Sequence, residues 1–257
     1  MTQISEGLLS GRTALVTGGS SGIGRAIATA AARAGADVAL TYRSNEAGAR
    51  EAEREIRSYG RRAAVIHLDL ADETSVRSLG ERTRDTLGGL DVWVNNAGAD
   101  ILTGSTASLS TLERLDLLLA VDLRGTMLAS WQAAEILAQR EKGGVIINMA
   151  WDHVLSGMAG INPQLFAAAK GGVLAFSKSL ARSVAPRVRV NVLAPGWIET
   201  SFGASVDAHR REAIAVSTPL KRWGMPDDVA GAAVFLASPA AAFLTGQTIV
   251  VNGGVVM

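Results

Sequence analysis

Read as apolar and polar positions, the chain alternates short apolar runs with longer alanine-rich or amphipathic stretches. The runs at 13–17, 38–42, 63–68, 92–95, 144–149, 188–193 and 248–251 predict strands. Between them, 24–34, 46–59, 73–86, 112–139, 166–184 and 226–237 predict helices; the second has a charged solvent face and a stop at Gly60. The strands show little alternation, so both of their faces are covered, as in a parallel sheet with helices on each side. No linker, repeat or low-complexity tract interrupts the series. The expected fold is therefore one doubly wound α/β domain over 1–257, with ligands at the carboxyl ends of its strands.

Composition narrows the function classes. The chain of 257 residues can bury a substantial core, and its hydrophobic fraction of 48% is ordinary for a globular protein. A net charge of +1 gives no general field for nucleic acid or anionic membrane. Without cysteine there are no disulfides and no thiolate metal sites, and the widely spaced His67, His153 and His209 argue against a zinc cluster. Residues 1–10 have neither the basic flank nor the apolar core of a secretory signal. The uncharged stretch 229–257 has the length of a membrane span, but Ser238-Pro239, Thr245-Gly-Gln and Asn252-Gly-Gly interrupt it. It reads as a buried helix and a buried strand, and the expectation is a soluble, cytoplasmic protein.

The chemistry begins at Thr17-Gly-Gly-Ser-Ser-Gly-Ile-Gly24, between the first strand and the first helix. Glycines at 18, 22 and 24 allow a tight turn, close approach of a ligand to the backbone, and a helix laid against the strand. The helix start offers free N–H groups and a positive dipole end to a diphosphate. A bare strand-to-helix turn has the same glycines, so placement carries the functional reading. At the end of the second strand, Tyr42-Arg43-Ser44 stands where an acidic residue would bond both ribose hydroxyls. Arg43 can stack on adenine and pair with a 2′-phosphate, and Ser44 can donate to it, which favours NADP(H). Asp37 lies at the far end of that strand, too distant to discriminate.

With Asp69-Leu70, Asn95-Asn-Ala-Gly98, Lys170 at a helix head, Pro195-Gly-Trp-Ile-Glu-Thr200 and Asn252-Gly-Gly254 in the same order, the chain resembles the short-chain dehydrogenase/reductase family over essentially its whole length. It is similar to that family's 3-oxoacyl-acyl-carrier-protein reductases. The resemblance implies a Rossmann-type fold that binds a nicotinamide dinucleotide across the strand ends. It implies contacts from Gly18, Ser20, Ser21, Gly22, Ile23 and Gly24 to the diphosphate, and from Asp69 and Leu70 to adenine. Asn96, Ala97 and Gly98 would border the adenosine ribose, and Lys170 would bind the nicotinamide ribose. Pro195 and Gly196 would turn the chain so that Ile198 and Thr200 hold the carboxamide. Residues 201–218 would form a substrate lid, with Phe202, Val206 and Ile214 giving it an apolar lining. Helices 112–139 and 167–185 match the family's dimer-forming elements, which implies a homodimer or homotetramer.

The family's proton relay does not carry over. Its Tyr-x-x-x-Lys reads Phe166-Ala-Ala-Ala-Lys170, its Ser falls on Trp151 or Ala150, and its Asn is Asp122. Loss of the tyrosine removes the proton donor that ketone reduction uses. Asp122 can still hold a water, and Asp152, His153 and Ser156 offer polar groups on the loop that normally carries the Ser, with Glu199 a further candidate. Each also has a plain reading as a cap, a backbone-satisfied loop residue or a surface carboxylate. Three functions remain open. The first is an NADPH-dependent reductase of a small molecule with a C=N, iminium or activated carbonyl group, with Trp151 and Phe166 packing on the substrate. The second is a non-redox dehydratase, cyclase or isomerase with Asp152 and His153 as acid and base. The third is a cofactor-binding subunit that supports an active paralogue.

Overall fold

The computed structural model describes residues 7–201, 203 and 206–257. Seven parallel strands, β1 (Thr13–Val16), β2 (Asp37–Tyr42), β3 (Ala63–His67), β4 (Val92–Asn95), β5 (Gly144–Met149), β6 (Val188–Pro195) and β7 (Thr248–Val251), form one sheet in the order β3-β2-β1-β4-β5-β6-β7. Strand order reverses between β1 and β4, which opens a crevice at their carboxyl ends.

Successive strand residues face opposite layers. Ala14, Val16, Val92, Val94, Val145 and Ile147 pack with helices α1 (Gly22–Arg33), α2 (Glu46–Ser58) and the later Pro226–Ala237. Leu15, Trp93, Ile146 and Val190 pack with α3 (Glu73–Leu87) and with helices Thr126–Ala138 and Ile161–Val184. Both layers are apolar, which explains the weak alternation in the sequence. Alanines at 28, 30, 31 and 32 of α1 and at 230, 233 and 237 of the Pro226–Ala237 helix are buried in one cluster, and their small side chains permit close helix packing.

Three elements differ from the sequence pattern. The first helix starts at Gly22 rather than 24, so the last two motif glycines lie in its first turn. The predicted rod 112–139 is helical but comprises α4 (Thr111–Leu118), a π-helical segment Leu119–Gly125, and α5 (Thr126–Ala138). α6 (Ile161–Val184) starts five residues before 166, because Pro163 is tolerated in a first turn, where its missing N–H is not needed. Lys170 therefore lies inside that helix and not at its head. Two further helices are α7 (Ala208–Ser217) and α8 (Pro226–Ala237). The uncharged C-terminal stretch resolves into α8, a 3-10 turn at Pro239–Ala241, and β7. Among the described residues no helix is long and apolar enough to cross a membrane.

A buried polar ladder joins β4 and β5 to α5 and α6. Trp93 Nε1 donates to Asn95 Oδ1 (2.7 Å), and Asn95 Nδ2 donates to Ser130 Oγ (2.9 Å) and Asn148 Oδ1 (2.8 Å). Asn148 Nδ2 donates to Ser177 Oγ (2.9 Å), whose hydroxyl donates to the Val173 carbonyl (2.6 Å). Each group is buried and partnered, so the ladder fixes where α6 lies beneath the crevice. Asn148→Leu keeps the volume but removes one hydrogen-bond partner from each of Asn95, Ser130 and Ser177, at about 1–2 kcal/mol each. The expected loss of about 2–5 kcal/mol is measurable by urea unfolding.

Candidate active site

A cleft of about 790 Å³ runs across the carboxyl ends of the strands. Its floor is the glycine turn, which side chains hold from beneath. Thr17 Oγ1 accepts from the N–H groups of Asn96 and Ala97, both at 3.0 Å, and Gly18 N–H donates to Thr41 Oγ1 at 3.0 Å. Asn96 Nδ2 returns bonds to the carbonyls of Thr17 (3.0 Å) and Gly18 (3.3 Å). At Gly24 a β-carbon would lie 2.1 Å from the Gly18 carbonyl oxygen, so only glycine lets α1 approach. Ser21 caps α1 without a side-chain bond, which leaves first-turn N–H groups open to the cleft. Ser20, Ser21, Gly22 and Ile23 line this part, as a diphosphate cradle requires.

At one end of the cleft, Arg43 and Ser44 are exposed, and among the described residues no carboxylate pairs with Arg43. Asp37 is at the opposite end of β2, bonded to Arg62 at 2.7 Å. Packing and the neighbouring Glu46 carboxylate hold the Tyr42 phenol above its ordinary pKa. Asp69 and Leu70 line the adjacent wall with Ala97 and Gly98, and Asp69 Oδ1 accepts from Ala71 N–H at 2.9 Å. This end fits a 2′-phosphorylated adenosine: a guanidinium and a hydroxyl stand at the end of β2, with Asp37 at its opposite end.

The other end contains the groups where reaction would occur. Phe166 and Lys170 are one helical turn apart on α6 and share its cleft-facing side. Lys170 Nζ pairs with Asp122 Oδ2 at 2.9 Å and faces the Met149 carbonyl at 3.4 Å. Asp122 is 1% exposed, and its Oδ1 accepts from Ala99 N–H at 2.7 Å. Its residue sits in the π-helical segment, whose wider turn brings it against Gly98. Any β-carbon at Gly98 would lie 2.9 Å from Asp122 Oδ2. Each Asp122 oxygen thus has one protein partner, which leaves acceptor capacity on the carboxylate. Trp151 lines the cleft 6.2 Å from the Phe166 ring, and Pro195, Gly196, Ile198 and Thr200 line the side next to it.

The structure does not bring Asp152 or His153 into the cleft. Asp152 is fully buried and binds His153 and Asn252, and neither it nor His153 lines the cleft. Ser156 is exposed and bonded to the Gly157 carbonyl, and Glu199 is ion-paired with Arg211, which also lies 5.3 Å from the Trp223 ring centroid. Of the lid residues, Phe202 lies outside the described residues; Val206 and Ile214 are half-buried but do not line the cleft, whereas Arg210 of α7 does. Sequence reasoning missed Trp197, Asn162, Met158, Leu102 and Arg210. The helical reading from 166 hid Asn162, which Arg114 Nη1 holds at 3.1 Å. Trp197 was in view inside Pro195–Thr200, and its aromatic ring was the available signal. Among the described residues no acidic or histidine cluster is arranged to hold a metal.

Residues 18–256 match the family model described as Enoyl-(Acyl carrier protein) reductase. A 3-oxoacyl-[acyl-carrier-protein] reductase of Synechocystis is 39% identical, covering 97% of this chain and 98% of its own. 3beta-hydroxysteroid dehydrogenase 1 of Eggerthella lenta is 36% identical over 97% of this chain and 95% of its own. The crystal structure of a short-chain dehydrogenase from Burkholderia cenocepacia in complex with NADP superposes with a TM-score of 0.86 at 36% identity, over 96% and 98% of the two chains. The chain belongs to the short-chain dehydrogenase/reductase family.

In this family member the loop after β6 has its own support. Gly224 bonds the loop on both sides of Ile198: its N–H donates to the Trp197 carbonyl at 2.9 Å, and its carbonyl accepts from Glu199 N–H at 2.9 Å. The Gly224 turn is held in place by Asp228, which accepts from Met225 N–H (2.6 Å) and from both Arg222 amino groups (2.6 and 2.9 Å). The guanidinium bonds, foremost, hold the Asp228 carboxyl below the usual carboxylate range. A depressed pKa contributes stability above the unfolded value and loses it as pH falls through the folded value. Asp228→Asn should therefore cost about 1 kcal/mol at pH 7. The gap should be constant down to about pH 5 and close only below about pH 4, as read by urea unfolding at each pH.

Proposed function

We propose that this oxidoreductase is an NADPH-dependent reductase of a small molecule bearing an iminium or other activated C=N group. The observation that carries the reading is the Lys170–Asp122 pair one helical turn from Phe166. A ketone becomes an alkoxide on hydride addition and needs a proton donor, worth about 10²–10⁴-fold in rate. Phe166 has none, and Lys170 gives one N–H group to Asp122 and a second to the Met149 carbonyl. An iminium carries its proton in advance and becomes a neutral amine, so it needs no acid and no oxyanion hole.

Charge favours the same substrate. An unpaired ammonium about 5 Å from a substrate cation would repel it by about 3 kcal/mol at an effective dielectric constant of 20. That exceeds the roughly 0.5–2 kcal/mol that one aromatic face returns to a cation. Asp122 cancels this repulsion, and only then do Trp151, Phe166 and Trp197 make an attractive wall. An activated carbonyl is the variant within this class. Bound NADPH supplies the hydride. Arg43 and Ser44 would hold its 2′-phosphate and the glycine turn its diphosphate. An ammonium has three donors, so Lys170 keeps one beyond Asp122 and Met149 for the ribose. The exposed Trp131 of α5, 5.7 Å from the Phe176 ring of α6, supports homo-oligomer assembly through this face.

The test is coenzyme consumption with matched cyclic imines and ketones, under NADPH and NADH, for wild type and Phe166→Tyr. Wild type should oxidise NADPH with imines alone and use NADH about tenfold or more less efficiently. Phe166→Tyr should gain ketone turnover and leave the imine rate within about threefold. A large imine gain in the variant, or ketone turnover by wild type, would overturn the reading.

A further inference from the structure

We infer that Asp152, His153 and Asn252 form a splint that holds the tryptophan wall of the cleft, so that the C-terminal turn sets the shape of the substrate pocket. The inference rests on the cleft being the reductase site proposed above. It assigns these residues positioning roles rather than acid–base chemistry.

A fully buried carboxylate is costly unless its oxygens are bonded, and those of Asp152 are. Oδ1 accepts from His153 N–H at 2.8 Å and lies 2.7 Å from His153 Nδ1, while Oδ2 accepts from Asn252 Nδ2 at 3.1 Å. A carboxylate only accepts, so Nδ1 carries the hydrogen and the ring orientation is fixed. Asn252 is held in turn: its Oδ1 accepts from Gly254 N–H at 2.9 Å, and its Nδ2 also donates to the Val256 carbonyl at 3.1 Å. The chain after β6 crosses directly over the pair. A β-carbon at Gly196 would lie 2.9 Å from Asp152 Oδ2 and 2.6 Å from Asn252 Cβ.

The imidazole transmits this arrangement to the cleft. It stacks on Trp151, with centroids 4.9 Å apart and planes at 25°, and meets Trp197 edge-on at 6.1 Å. Both tryptophans line the cleft, whereas Asp152, His153 and Asn252 do not. Trp151 lies in extended backbone before the short Asp152–Val154 turn, so neighbouring contacts fix where its ring stands. A wall ring displaced by about 1 Å would spoil substrate placement.

The test combines steady-state kinetics on a cyclic imine, NADPH titration and near-ultraviolet circular dichroism of the tryptophans. His153→Ala should raise KM about tenfold, change kcat less than about threefold, leave NADPH affinity unchanged and weaken the tryptophan band. His153→Phe restores a ring against Trp151 and should recover both KM and the band. Asn252→Leu should raise KM and shift the same band, non-additively with Asp152→Asn. A kcat loss of about 100-fold or more in both His153 variants would instead mark acid–base chemistry and overturn the splint. So would variants that lose only melting temperature and keep KM and the band. If wild type reduces no imine, the reductase reading fails, while the dichroism arm still decides the splint.

Discussion

A partly buried ammonium and a buried carboxylate 2.9 Å apart set the electrostatics of this cleft. Taking the Asp122 charge out of water is costly, so it must be satisfied by Lys170 and by fixed dipoles. The structure supplies these: Ala99 N–H serves Asp122, and the Met149 carbonyl faces Lys170. The pair joins the π-helical segment to α6 across the cleft floor. It also leaves the reacting end close to neutral, where a free lysine would impose a positive field.

The scaffold behind it is arranged to keep the contact in place. The buried ladder from Trp93 through Asn95 and Asn148 to Ser177 fixes α6 against the sheet, and Lys170 with it. Gly98 lets the chain after β4 pass close to Asp122. On the far side, Asp228 and Arg222 hold the turn that backs Trp197. These supports lie in different layers, and they converge because the strand order reverses between β1 and β4.

Much of this was legible in the sequence. Apolar runs of strand length separated by helical stretches gave the sheet and its layers, because buried parallel strands need no polar face. The glycine turn, Arg43-Ser44, Asn96-Ala-Gly98 and Pro195-Gly196 are local motifs, and the structure gathers them around one cleft. Contacts across the fold were not legible. The π-helical segment leaves no mark on a 3.6-residue pattern, so the approach of Asp122 to Lys170 could not be read. An Asp-His dipeptide on a loop looks the same whether it faces a substrate or a C-terminal asparagine 100 positions away. Only tertiary packing turns Asp152 inward.

The ion pair can be tested without changing the volume of the site. Asp122→Asn keeps the shape and an acceptor but returns a net positive charge to the floor of the cleft. The account predicts that kcat/KM for a permanently charged N-alkyl iminium falls at least about tenfold, while the NADPH dissociation constant stays within about threefold. An unchanged kcat/KM in a variant that binds NADPH normally would contradict the account.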